Sequence, residues 1–564
     1  MILFTMESSR PVVRALMSFF DPSRTSKPLA KARDASGPPH GARHSRPRPA
    51  FCAATKGICM GRFYRELVAA VALLALSFPH AAPAQTPDRA QLLAAVTSNN
   101  ATTVKRLQEW IALPTIAAER RNVSEGAEYM RRLALEAGFQ QAKIVPTDGV
   151  PGVFATLNVG APVTLGLYFM YDVKQFDPAE WSSPPLEGRI VERPEGQAIM
   201  GRGAVNQKGP EMAFLAALQA FKATGRKLPV NLVLVAEGEE EIASPNFHQV
   251  ISDPEVLSAM RKSIGVFIPF AGQGSTGATS INLGAKGAVE LQLISSGEHS
   301  GRGPARDVHS SLMATVESPA WRLVKALETL VADDGYTPAI DGWFENVKSL
   351  TARQKELIAQ GVANENENEI KKQLGVKRWI KDEDHLTSAY RLASQPTVNI
   401  QGLVSGYTGP GGKTVLPGRA EAKMDLRLVP NMTKEEAVTK LKAHLAKRGF
   451  SDVQVNVSGG YGPTESNESS LLVRSQMATL ERARIQYSLE PRLAGSWPGV
   501  VFTGPPLKLP AVGFGIGHGG GAHAPDEWYL IKSKNPKVAG IDEATMFYVD
   551  YLYEVAALAE RQNQ

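Results

Sequence analysis

The sequence predicts an α/β fold with a mostly parallel sheet, interrupted by an inserted α+β domain. Three observations predict it. VTLGLYF (163–169) and VNLVLVAE (230–237) are near-continuous apolar runs, as expected of strands buried on both faces of a parallel sheet. Between them, the stretch from Glu211 to Thr224 carries apolar residues at Met212, Leu215, Leu218 and Phe221, a helical spacing. From about Ala288 the texture changes to strand, helices, strands, helix, strand, and after about Gly460 the helix/strand alternation resumes. With 564 residues, 43% of them hydrophobic, the chain can bury more than one core.

The elements follow in order. Residues 1–59 are rich in Pro, Arg and Ser, lack a hydrophobic period, and are expected to be an unstructured leader or an over-long reading of the gene. Residues 60–84 run from Arg62 and Arg65 through an apolar stretch, Leu67 to Phe78, to Ala82-Pro83-Ala84. That is the order of a secretory signal peptide, so a periplasmic or secreted location is expected, with Gln85 first in the mature chain. The apolar stretch falls short of the roughly 20 residues a spanning helix needs, and no membrane association is expected after cleavage. Both cysteines, Cys52 and Cys59, lie in the leader, which excludes a disulfide framework or a four-cysteine zinc module. Twelve Lys and Arg against four Asp and Glu in residues 1–84 leave the other 480 at a net −2, although the whole chain carries +6. The nucleic-acid reading of a basic chain is lost with the leader.

Residues 85–287 form the first α/β part. In 288–459 a strand-like VELQLIS precedes helical segments, a charged stretch (352–386) and AEAKMDLRLVP. Thr433 and Glu436 then predict a capping box opening a helix with Val438, Leu441 and Leu445 on its apolar face, which Gly449 ends. The alternating valines of DVQVNV (452–457) predict a strand. Residues 460–564 are expected to complete the first domain.

Four segments place polar groups after buried strands or in glycine-rich turns: MYDVKQFDP (170–178), GRGAVNQKGP (201–210), EGEEEIASP (237–245) and GHGGGAHAPDE (517–527). Three carboxylates at a strand end, Glu239 to Glu241, repel one another unless a cation is near or one is protonated. Alone, they are equally a solvated acidic turn. His518 and His523 sit in what, alone, is equally an ordinary glycine loop. GRGAVNQKG lacks the Gly-Lys-Ser/Thr ending of a phosphate loop, so that reading is rejected.

Together these segments resemble the aminoacylase–carnosinase–glutamate carboxypeptidase family of dinuclear zinc hydrolases. The likeness runs from about residue 95 to the C-terminus and includes YFMYDV, GRGxxxxKG, EGEEEIxSP, DVHSS (307–311), RLVP (427–430), GSWP (495–498) and HAPDE (523–527). The resemblance implies a zinc-peptidase catalytic domain with an inserted lid and dimerisation domain, hence a homodimer. It implies Glu240 as general base, Glu241 and His523 as ligands of one metal, and Asp172 as an orienting carboxylate. It further implies His309 as a group offered to the partner subunit's reaction intermediate, Arg427 as a grip on a substrate carboxylate, and Ser496 as an added hydrogen bond. Three family ligand positions are changed: Met170 replaces a histidine, Asn206 the bridging carboxylate, and Phe270 a carboxylate. One metal position has lost both private ligands and the other keeps both. A thioether is a poor partner for zinc, and an amide oxygen is a poor bridge between two cations. The expectation is one zinc, held by Glu241, His523 and Asn206 or His518, in a hydrolase of short peptides or N-acyl amino acids. The alternative is a non-catalytic peptide-binding or regulatory protein of the same fold.

Overall fold

The structure, a computed structural model, describes residues 87–563, so the leader and signal-peptide expectations lie outside the described residues. Ten strands build the two main sheets. In chain order they are β1 (Gln141–Val145), β2 (Gly152–Leu157), β3 (Thr164–Met170), β4 (Asn231–Glu237), β5 (Ser263–Pro269), β6 (Gly287–Ser296), β7 (Thr397–Ser405), β8 (Arg419–Leu428), β9 (Gln454–Tyr461) and β10 (Ala511–Phe514).

The central sheet has the order β1-β2-β4-β3-β5-β10. The two apolar runs are its middle strands, β3 and β4, which pair in parallel with Phe169 opposite Ala236 and Met170 opposite Glu237. β5 and β10 extend the parallel set, while β1 and β2 are antiparallel additions. Helices α1 (Pro87–Ile111), α2 (Val123–Ala137) and α3 (Gly209–Thr224) share one core with this sheet and with the C-terminal helix Ile541–Asn563. The spacing in α3 suggests one apolar face, yet every residue from Gly209 to Phe221 is buried. The helix lies inside the domain, and Ala213, Ala216, Ala217 and Ala220 keep its remaining faces small. The opposite face of the sheet is closed by Tyr168, Phe247 and Phe502, whose rings lie 5.3 to 5.8 Å apart.

The second sheet, β7-β8-β6-β9, is antiparallel throughout. One face is covered by α4 (Pro319–Glu328) and α5 (Lys434–Lys447), with Leu323, Leu327, Leu441 and Leu445 packed on Leu291, Met424 and Leu426. Thr433 caps α5 by accepting from the Glu436 amide at 3.1 Å. The capping box is only half made, because the Glu436 carboxylate turns outward to Asn346 and Lys440, both at 2.7 Å. Among the described residues no helix is long and apolar enough to cross a membrane.

Candidate metallopeptidase centre

Parallel strands deliver their following residues to one edge of the sheet, where ligands gather in α/β folds. β3 ends in Met170, β4 leads into Gly238–Glu241, and β5 ends just before Phe270. Asp172 is wholly buried and caps the short turn Glu240–Ile242: its two carboxylate oxygens accept from the Glu240 and Glu241 amides at 3.2 and 3.0 Å. Burial and the neighbouring Glu241 charge push the Asp172 carboxyl up to about 8, while those two amides pull it down. The turn aims Glu240 and Glu241 in different directions from Glu239. The Glu239 carboxylate is engaged by the Val150 amide at 3.0 Å and by Asn246, so it braces the neighbouring loop. Burial, then the charges of Glu241 and Asp172, push Glu240 well above the usual carboxylate range, and Lys174 pulls it back.

Glu241, Asn206 and His523 meet. Asn206 Nδ2 lies 2.7 Å from Glu241 Oε1 and 3.1 Å from His523 Nε2, and His523 Nε2 lies 3.1 Å from Glu241 Oε2. That single ring nitrogen can donate to Glu241 or accept from Asn206, but not both. The amide's two ends are assigned from the surrounding network, and turning it would bring its oxygen to face the other two groups.

Sequence reasoning missed two sets of residues that hold this cluster. Lys174 closes it from the β3 side, with Nζ 3.5 Å from Glu241 Oε2 and a further bond to the Glu241 carbonyl. Its signal was a charge placed two residues after Asp172 in a segment otherwise leaving a buried strand. Arg202 and Glu527 form a buried ion pair at 2.8 Å. The same Glu527 carboxylate accepts from the Gly203, Val205 and Asn206 amides at 2.9 to 3.0 Å. Both residues lie in motifs quoted above, and together they tie the Asn206 loop to the His523 loop. His518 is not part of the cluster: its Nδ1 pairs with the Gln273 carbonyl at 2.8 Å and its ring packs edge-on against Trp528.

The second sheet brings Arg427 and Ser496 together. Period-two alternation buries Met424, Leu426 and Leu428 against the helices, which puts Asp425 and Arg427 on the other face. Arg427 Nε donates to Asp425 at 2.9 Å, and Nη1 to Ser496 Oγ at 2.9 Å. β9 links this pair to the carboxylates. Its Gly460 amide donates to the Ala243 carbonyl at 3.1 Å, and burial, then the nearby Glu240 charge, pushes the phenol of the next residue, Tyr461, well above its usual range while Arg427 pulls it down. His309 stands apart. It is exposed, on the short pairing of 308–309 with 415–416, and its Nδ1 is satisfied by Ser311 at 2.8 Å.

The donor set can be tested against zinc. The Glu241 carboxylate oxygens, His523 Nε2 and the Asn206 side-chain amide lie 2.7 to 3.1 Å apart, and the amide would face an ion with its oxygen once turned. Tetrahedral ligands at zinc distances stand about 3.3 Å apart, so this set fits one ion after a small spreading. The positions that would serve a second ion offer no such donors. Met170 is buried at the end of β3, Phe270 offers only a half-exposed ring, and among the described residues no three His, Cys, Asp or Glu side chains cluster as ligands.

A parallel α/β sheet whose carboxyl edge presents paired glutamates and a histidine, beside an inserted antiparallel sheet carrying an arginine, defines a metallopeptidase-type centre. The model of peptidase family M20/M25/M40 matches residues 168–552, and the chain belongs to that family. It is 27% identical over 360 residues to the Cys-Gly metallodipeptidase of Saccharomyces cerevisiae, covering 60% of this chain and 72% of the relative. It is 25% identical over 385 residues to the human Beta-Ala-His dipeptidase, covering 62% and 71%. Among solved structures, an M20 family metallo-carboxypeptidase from Sulfolobus solfataricus superposes with a TM-score of 0.70 at 32% identity, over 81% of this chain and 98% of that one. These relatives correct one expectation. A periplasmic or secreted location is not supported by the likeness to these dipeptidases, and the segment from which it was inferred lies outside the described residues, so that expectation does not stand.

Proposed function

We propose that this chain hydrolyses amide bonds in short peptides or N-acyl amino acids bearing a free carboxylate, using one divalent ion, zinc by ligand type, held by Glu241, His523 and Asn206. The observation that carries the reading is the meeting of these three side chains beside Glu240. A zinc ion held there would supply Lewis acidity toward the scissile carbonyl. Glu240 takes the proton of the attacking water and passes it to the leaving nitrogen, a role suited to a carboxyl whose proton affinity is raised. Asp172 fixes the turn that aims Glu240. Arg427, steadied by Asp425 and Ser496, grips the substrate carboxylate through its remaining guanidinium protons.

In this reading residues 85–287 and 460–564 make the catalytic domain, and 288–459 the lid and dimerisation domain. β7 is an edge strand with Ile400, Leu403 and Val404 exposed, which supports pairing with a second copy and delivery of His309 to the partner's site. The test is zinc bound per full-length chain after loading and desalting, together with hydrolysis of a panel of dipeptides and acyl amino acids. One zinc, with hydrolysis abolished in Glu240→Gln, is expected. Two zinc ions would refute the ligand assignment. No zinc and no hydrolysis would favour the second reading, a peptide-binding protein of the same fold, which Met170, Asn206 and Phe270 support.

A further inference from the structure

Lys174 touches Glu241 directly, yet the hydrolase reading gives it no role. The chain around it is pinned: Val173 is buried and its amide donates to the Thr115 carbonyl at 2.9 Å, while Asp172 is held by the Glu240–Ile242 turn. Lys174 therefore leaves the end of β3 with its side chain committed toward Glu241. Its ammonium meets that residue twice, at the carboxylate (3.5 Å) and at the backbone carbonyl. Glu241 is nearly inaccessible, with 4% of its side chain exposed, whereas Lys174 keeps about a third of its own, 35%, open to solvent. A buried carboxylate needs a countercharge. His523 can offer one only when protonated, and Asn206 carries none.

We propose that Lys174 is a resident countercharge of this centre, a fixed cation that holds Glu241 in place without a metal and competes with a divalent ion for that carboxylate. The inference rests on the assignment of Glu241 as a ligand made above. Where Met170, Asn206 and Phe270 remove the donors of a second ion, the lysine returns one positive charge to the same cluster of acids. Zinc binding here is then an exchange. The ion must draw Glu241 Oε2 away from the ammonium and tolerate that ammonium as a neighbour. Removing the ammonium therefore tightens zinc binding, and keeping a cation at the position does not.

The test is zinc affinity of the full-length chain, measured by competition with a chromophoric chelator, in wild type, Lys174→Met and Lys174→Arg. Thermal unfolding of the metal-free proteins is recorded alongside. We expect Lys174→Met to bind zinc at least about tenfold more tightly, Lys174→Arg to stay within about threefold of wild type, and the metal-free Lys174→Met protein to melt earlier. Equal or weaker zinc binding in Lys174→Met would overturn the proposal. Should Lys174→Met fold poorly, Lys174→Gln is expected to move affinity the same way, and its failure to do so would be equally decisive. The outcome is separable from that of the hydrolase reading. If wild type binds no zinc, that reading fails, while zinc binding gained in Lys174→Met would still support the countercharge and its absence would overturn it.

Discussion

The Glu527→Gln variant probes how the centre is assembled. The Glu527 side chain is 1% exposed and faces four donors: Oε2 accepts from Arg202 Nη1 and the Gly203 amide, Oε1 from the Val205 and Asn206 amides. Glutamine offers one oxygen, so its NH2 group must face two of those donors. It also leaves Arg202, itself 3% exposed, as an unpaired buried charge. Breaking a buried pair from one side costs roughly 3–5 kcal/mol, and each donor left without an acceptor costs about 1–3. These costs overlap, and we expect about 4 kcal/mol in total, or roughly a thousandfold in the folded-to-unfolded ratio. Because the Asn206 amide is among the displaced donors, zinc affinity should fall by about ten- to a hundredfold as well. Urea unfolding followed by tryptophan fluorescence, with chelator competition on the folded protein, reads both. The double variant Arg202→Met, Glu527→Met should recover part of the stability, since a buried pair can be replaced by apolar groups at much lower cost. A stability loss under about 1 kcal/mol with unchanged zinc affinity would refute this account.

Further outcomes follow from the same geometry. Arg427→Lys, which loses the planar fork steadied by Asp425 and Ser496, should lower kcat/KM by about a hundredfold, mostly through KM. Peptide amides without a carboxylate should be indifferent to it, and steady-state kinetics on both substrate types checks this. Burial, with Arg492 and Arg427 nearby, pushes the Lys286 ammonium down to about 8 from 10.5. Between those values the unfolded chain binds more protons than the folded one, so this group makes stability rise with pH across the window, by about 3 kcal/mol. Lys286→Met should lose that rise and be more stable at pH 7 by about 2 kcal/mol, after forfeiting the bond to the Gln395 carbonyl. Unfolding at pH 7 and 10 decides it, and parallel pH slopes for the two proteins would count against the argument. The proposed pairing through the exposed edge strand β7 predicts a dimer for wild type and a monomer for Leu403→Lys in light scattering after gel filtration, and a wild-type monomer would refute the pairing.

What the sequence disclosed and what it hid have separate physical causes. The strands at 164–170 and 231–237 and the helix at 209–224 were legible because burial on several sides leaves a nearly unbroken apolar record. The direction of a polar side chain leaves no such record. Glu239, Glu240 and Glu241 are identical in sequence, yet a single short turn sends the first to the Val150 amide and the third to Asn206 and His523. His518 and His523 share one glycine loop, and only the structure separates the one held by Gln273 from the one beside Glu241. The same distinction explains how the fold accommodates the side chains at positions 170 and 206. Asp172 and Glu527 accept bonds from the backbone amides of the two turns that present Glu240, Glu241 and Asn206. These carboxylates hold the frame through N–H groups that do not depend on which side chain the turn carries. An amide can therefore stand at position 206, and a methionine at 170, while the turns keep their shape. Ligand identity is then governed by local charge, where Lys174 acts, and the frame by Asp172, Arg202 and Glu527. Changes to the first group should move metal affinity with little effect on folding once the ion is bound, and changes to the second should move both together.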